Sequence, residues 1–193
     1  DVYKRQAQNG VSADDLYYGS KLPFAYNYVD KNTDVTHDND TQSEHGSHVA
    51  GIAAANKYVP QTDGDETTYV SALDTVKTQG VAPEAQLLVM KVFGSNGGAF
   101  DSDYMAALED ALLLDCDTVN LSLGSSVSGH TFSDNDELFA SLQNTDTVVT
   151  ISAGNKFSYA QYNNTGTKMQ LTQDTVIDTV GSPGSFGNAF TIA

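Results

Sequence analysis

At 193 residues and 39% hydrophobic content, the chain can bury the core of one globular domain but is too short for two ordinary ones. Its net charge of −16, with only nine scattered Lys and Arg, argues against a nucleic-acid partner, because phosphate binding needs clustered cations. No window reaches the roughly 18 uninterrupted apolar residues of a membrane-spanning helix, and a single cysteine, Cys116, allows no intramolecular disulfide.

The opening hexapeptide, Asp1 to Gln6, lacks the charged-then-apolar pattern of a signal peptide. It resembles the translation of a sequencing-library adapter, so the expected domain comprises residues 7–193. Residues 7–44 are polar and rich in Asp, Asn and Tyr, with a short strand expected over Pro23 to Tyr28 and an acidic loop over Asp30 to Glu44. The small residues of His45 to Asn56 suit a tightly packed helix. Asn56 to Gly80 shows little periodicity, and Gln61 to Thr68 reads as an exposed insertion.

The chain then alternates. Ala85 to Phe93 is almost continuously apolar, as in a strand covered on both faces. Asp101 to Cys116 predicts a helix with Met105, Leu108 and Leu112 on one stripe and with Asp101, Ser102 and Asp103 as cap and first-turn acids. Thr118 to Leu123 is a second strand, and Asp134 to Gln143 a shorter helix with Leu138, Phe139 and Leu142 inward. Thr147 to Ser152 is a third buried strand. This order predicts an α/β fold with a mainly parallel, doubly wound sheet. In such sheets functional residues gather just past the carboxyl ends of the strands.

Gly124 follows one of those strands and Ala153-Gly154-Asn155 another. A side-chain amide on a tight turn there can donate to a developing oxyanion, although Gly-Asn is also an ordinary turn. His45 opens a small-residue helix beside Gly46, where an imidazole can approach a nucleophile closely and act as general base. His45 and His48 can equally be read as capping residues, or as a metal pair three positions apart. That spacing differs from the His-Glu-x-x-His of zinc proteases, and no third ligand is evident. Cys116 reads as a small buried hydrophobe, with a nucleophilic role as the alternative.

His45-Gly46-Ser47-His48-Val49-Ala50-Gly51 resembles the histidine motif of subtilases, His-Gly-Thr-His-Val-Ala-Gly, with Ser47 keeping the hydroxyl of the threonine. Gly80-Val81-Ala82-Pro83-Glu84-Ala85 resembles that family's turn into the next sheet strand. Val119-Asn120-Leu121-Ser122-Leu123-Gly124 resembles its substrate-pairing strand, and Ile151-Ser152-Ala153-Gly154-Asn155 its oxyanion motif. By these four motifs in this order the chain is identified as a member of the subtilase (peptidase S8) family. Pro23 to Tyr28 with the acidic run after it, and Gly181-Ser182-Pro183-Gly184, further resemble the cell-envelope proteinases and C5a peptidases of Gram-positive bacteria.

The resemblance implies a subtilisin-like three-layer fold and a serine endopeptidase that cleaves extended protein or peptide substrates through an Asp-His-Ser triad. His45 takes the role of general base and Asn155 that of oxyanion donor. Ser122, Leu123 and Gly124, with Ser152, Ala153 and Gly154, flank the substrate strand. An extracellular or cell-wall location follows from the same resemblance. No cofactor is expected. Calcium is common in the family, but no ligand set is identified, and Gln61 to Glu66 reads as a solvated loop. The triad aspartate should precede His45, yet Asp14, Asp15, Asp30, Asp34, Asp38 and Asp40 lie in polar sequence without a suitable strand. No serine, Ser122 and Ser185 included, stands in a Gly-Thr-Ser-Met-Ala context. The expectation is therefore a catalytic domain incomplete at both ends, with Asp and Ser of the triad outside the chain and no activity alone. The alternatives are a degenerate subtilase-like binding module and a metal-dependent hydrolase using His45 and His48.

Overall fold

The computed structural model describes residues 2–38, 40, 42–95, 98–124, 135–154 and 180–193. The chain divides into two compact units, Asp1–Ala107 and Leu108–Ala193. Among the described residues no helix is long and apolar enough to cross a membrane.

The first unit opens with α1 (Val2–Gln8). The Arg5 guanidinium donates to the Ala106 carbonyl at 2.9 Å, and Gln6 is fully buried. Of the hexapeptide set apart on sequence grounds, Arg5 and Gln6 make these contacts while Tyr3 and Lys4 are exposed. Strand β1 (Phe24–Asn27) is buried at every position. Its core partners include Leu16 and Tyr28, whose ring meets Tyr26 edge-on at 4.9 Å. Helix α2 (His45–Ala54) follows the acidic loop.

The next segment differs from expectation. Tyr58–Asp63 (β2) and Glu66–Ser71 (β3) pair in an antiparallel hairpin, Asp63 opposite Glu66. Gly64 takes the first turn position at φ 61°, a conformation that a two-residue hairpin loop requires and glycine adopts without strain. Tyr, Val and Thr favour the extended backbone. Both faces of the hairpin are largely exposed, so no alternation of apolar and polar residues announces it. A single helical turn, α3 (Ala72–Thr75), follows.

Strand β4 (Leu88–Lys91) is shorter than the apolar run and only half-buried. Ala85 is spent on a turn to Ala82 (3.0 Å), and Leu87 donates to the Lys21 carbonyl (2.8 Å). The Lys21 ammonium returns to the carbonyls of Pro83 and Ala85 at 2.7 and 2.6 Å. β4 lies parallel to β1, with Phe24 opposite Leu88 and Asn27 opposite Lys91.

Helix α4 (Asp101–Leu113) ends earlier than expected because Asp115 turns to φ 57°. Cys116 then donates to the Ala111 carbonyl and Asp115 to that of Leu112, both at 3.1 Å, the bond pair that closes a helix with a left-handed residue. Its buried stripe is Tyr104, Ala107, Leu108 and Ala111. Of the expected stripe only Leu108 is fully buried; Met105 and Leu112 are half-exposed.

In the second unit β5 (Thr118–Leu121) and β6 (Val148–Ser152) run parallel, with Thr118 opposite Val148 and Leu121 opposite Ile151. Helix α5 (Asn135–Ser141) lies between them in sequence and turns its Phe139 into the core, where it stacks on Phe186 at 4.5 Å. Strand β7 (Phe190–Ile192) adds a parallel neighbour to β6 that the sequence reading did not foresee. In β6 Val149 and Ile151 are buried while Val148 is exposed, so this strand is covered on one face rather than two. The fold is α/β with mainly parallel strands, and the hairpin is the antiparallel exception among the described residues.

Candidate active site

Of the residues expected to act, His45 belongs to the first unit and is the first residue of α2, where its side chain is exposed. The far end of the same helix is closed by the chain that follows the hairpin. Gly80, Val81 and Ala82 donate to the carbonyls of Ala55, Ile52 and Ala53 at 2.9, 2.9 and 2.8 Å, satisfying acceptors that a helix end leaves open. The approach is backbone to backbone. A Cβ on Gly80 would lie 2.3 Å from the Ala55 nitrogen and 2.5 Å from the Ala54 Cα. His48 is also exposed, and among the described residues no group of three His, Cys, Asp or Glu side chains comes together as metal ligands.

In the second unit the expected substrate segments stand side by side past the carboxyl ends of β5 and β6. The Ser152 hydroxyl donates to the Leu123 carbonyl at 2.9 Å and ties the two together. The Ser122 hydroxyl accepts the Asn120 amide at 2.8 Å. Ala153 is held from two directions: its N–H reaches the Ile192 carbonyl at 2.7 Å, and its carbonyl accepts the Gly181 N–H at 3.3 Å. Gly124 and Gly154 are exposed, and Gly154 sits at φ 102°, where a side chain would be strained. Asn155 lies outside the described residues.

A third segment packs against these two. The Ser182 carbonyl faces Gly124, 3.6 Å from where a Cβ would stand, and Gly184 lies so close to Ser152 that its Cβ would meet that carbonyl at 2.9 Å. Residues 181–184 thus lie against Gly124 and Ser152, with a cis bond between Ser182 and Pro183. The Gly-Ser-Pro-Gly run marks a turn in the sequence, but only its contact with Gly124 gives it a place beside the ends of β5 and β6.

The Cys116 thiol stands apart from this chemistry. Burial, then the carboxylates of Asp117 and Asp115, push its pKa up, the reverse of what an activated nucleophile needs.

The sequence profile of the Subtilase family (peptidase S8) matches residues 9–193. The chain belongs to that family. It is 35% identical over 191 residues to the PII-type proteinase of Lacticaseibacillus paracasei, an alignment covering 92% of this chain and 9% of that protein. The PIII-type proteinase of Lactococcus lactis subsp. cremoris strain SK11 is likewise 35% identical, over 92% of this chain and 8% of its own length. The C5a peptidase of Streptococcus pyogenes serotype M6 is 26% identical over 197 residues, 100% of this chain and 15% of that protein. The chain therefore spans less than a tenth of the length of the two proteinases (9% and 8%).

Proposed function

We propose that the chain forms part of the catalytic domain of a serine endopeptidase that cleaves extended proteins or peptides outside a Gram-positive cell or on its wall. The observation that carries this reading is the pair of exposed glycines, Gly124 and Gly154, past the carboxyl ends of β5 and β6 in a chain of the subtilase family. Serine-type attack needs three services from the protein. His45 accepts the proton of the serine hydroxyl as it adds to the carbonyl, then delivers that proton to the leaving amine. The Asn155 amide donates to the tetrahedral oxyanion, a kind of contact whose loss costs about 10²–10³ in rate. Ser122 to Gly124 and Ser152 to Gly154 take the substrate as an added strand, which tolerates many sequences because backbone groups supply the contacts.

The proteinases and C5a peptidases that this chain resembles support the substrate class and the location. The hydroxyl nucleophile is a separate matter, since no serine among the 193 residues has the Gly-Thr-Ser-Met-Ala context. The chain by itself is accordingly proposed to leave an unstructured casein substrate intact. In a gene product that carries the nucleophile, His45→Ala is expected to lower kcat/KM on casein by at least about 10³. Unchanged turnover would overturn the base assignment. Cleavage by the 193-residue chain that vanishes in His45→Ala would place the nucleophile within these residues.

A further inference from the structure

The loop that leads from β1 to His45 is fastened at two neighbouring points on the sheet. Asn27 and Lys91 are register partners at the carboxyl ends of β1 and β4. The buried Asn27 side chain accepts the N–H groups of Val29 and Asp30 at 3.0 and 2.9 Å. It donates to the Asp30 carboxylate at 3.0 Å and to the Asp34 carbonyl at 2.8 Å. Lys91 donates to the Thr36 carbonyl at 2.9 Å and pairs with the Asp40 carboxylate, their side chains only 8% and 7% exposed.

The connection continues to the helix. The second oxygen of Asp40 accepts the Gln42 N–H at 2.8 Å, and the Gln42 carbonyl accepts the His45 N–H at 3.2 Å. An unbroken run of polar contacts therefore links β4 to the first residue of α2. The N-cap residue of that helix, Glu44, makes no side-chain capping bond, and its first turn holds no acid.

We infer that Lys91 and Asp40 are positioning residues for His45: their buried ion pair at the end of the β1–β4 sheet sets where α2 begins and hence where the imidazole stands. This rests on the reading of His45 as general base. An exposed pair could not hold such a position, because solvent screens it and its side chains wander. A buried pair does, because either partner alone would be a charge out of water.

The test uses the isotope-labelled 193-residue chain and three variants. In Lys91→Met and in Asp40→Asn, amide hydrogen exchange at Gln42 and His45 is expected to speed up by about tenfold or more. The His45 ring signals should shift or double, while exchange in β2–β3 and in β5–β6 stays as in the parent chain. Lys91→Arg, which keeps charge and reach, should leave the His45 signals in place. Should Lys91→Met fail to fold, Asp40→Asn, which preserves size and an acceptor for Gln42, is read by the same criterion. His45 amide and ring signals unmoved in a folded Lys91→Met or Asp40→Asn chain would overturn the inference. The base assignment fails by a different result, retained turnover in His45→Ala, so the two can be told apart.

Discussion

The carboxyl ends of two of the parallel strand pairs, β1–β4 and β5–β6, are built on opposite plans. At β1 and β4 they carry Asn27 and Lys91, large polar side chains that fold back into the protein and bind the next loop. At β5 and β6 they run into Ser122-Leu123-Gly124 and Ser152-Ala153-Gly154, where the last side chains vanish and the backbone stands exposed. One end converts charge into fixed geometry, because buried charged and polar groups tolerate few arrangements. The other leaves room. Under the proposed function the first plan suits a base that must be held in place and the second a surface that a substrate backbone can approach.

Filling space on the rigid side should cost the most. Gly80→Ala places a methyl 2.3 Å from the Ala55 nitrogen, and neither backbone can yield without opening the end of α2. A loss of about 3 kcal/mol is expected, at the upper end of ordinary overpacking, seen as a lower urea midpoint. A midpoint within error of the parent would mean that the 80–82 segment does not brace the helix.

Removing charge there should cost somewhat less and should depend on pH. Burial pushes the Asp40 pKa up, but the Lys91 hydrogen bond and charge and the N–H groups of Gln42 and Ser43 outweigh it and hold the value below the ordinary carboxylate range. A depressed pKa contributes stability that is present above the unfolded-state value and lost as pH falls through the folded-state value. Asp40→Asn should therefore cost about 2 kcal/mol at neutral pH, the range of a hydrogen bond to a charged group, since Asn keeps an acceptor for Gln42. The gap to the parent should close on acidification below about pH 4. A gap that is constant with pH would separate Asp40 from the acid sensitivity of the fold.

What the sequence disclosed follows the range of the interactions. The α2 helix, β1, β5 and β6 were legible because small residues or apolar runs declare them locally. The hairpin was not, since its Tyr, Val and Thr residues alternate with nothing on two exposed faces, although Asp63-Gly64 was a turn signal in plain view. The buried stripe of α4 starts at Tyr104, whose hydroxyl takes it out of a purely apolar pattern. β7 is three residues long and is defined only by its pairing with β6. The site divides in the same way. His45 could be named from its motif, whereas Asp40 was one acid among several in a polar run. Its partner, Lys91, lies 51 positions away, beyond what local pattern can reach.

The open side can be probed by the smallest change, one methyl. A Cβ on Gly124 would meet the carbonyls of Ser182 and Ser152 at 3.6 and 3.9 Å, ordinary contact distances, so Gly124→Ala should fold with stability within about 0.5 kcal/mol of the parent. On Gly184 the same methyl meets the Ser152 carbonyl at 2.9 Å and the Gly181 carbonyl at 3.1 Å, so Gly184→Ala should lose about 1–2 kcal/mol. The comparison separates room that the fold needs from room left for a ligand. If Gly124 and Gly154 flank a substrate strand, Gly124→Ala should weaken binding of an extended peptide about tenfold, as judged by titration followed through the amides at position 124 and at Gly154. Unaltered peptide affinity in a stable Gly124→Ala chain would show that the glycine serves the turn and not the substrate.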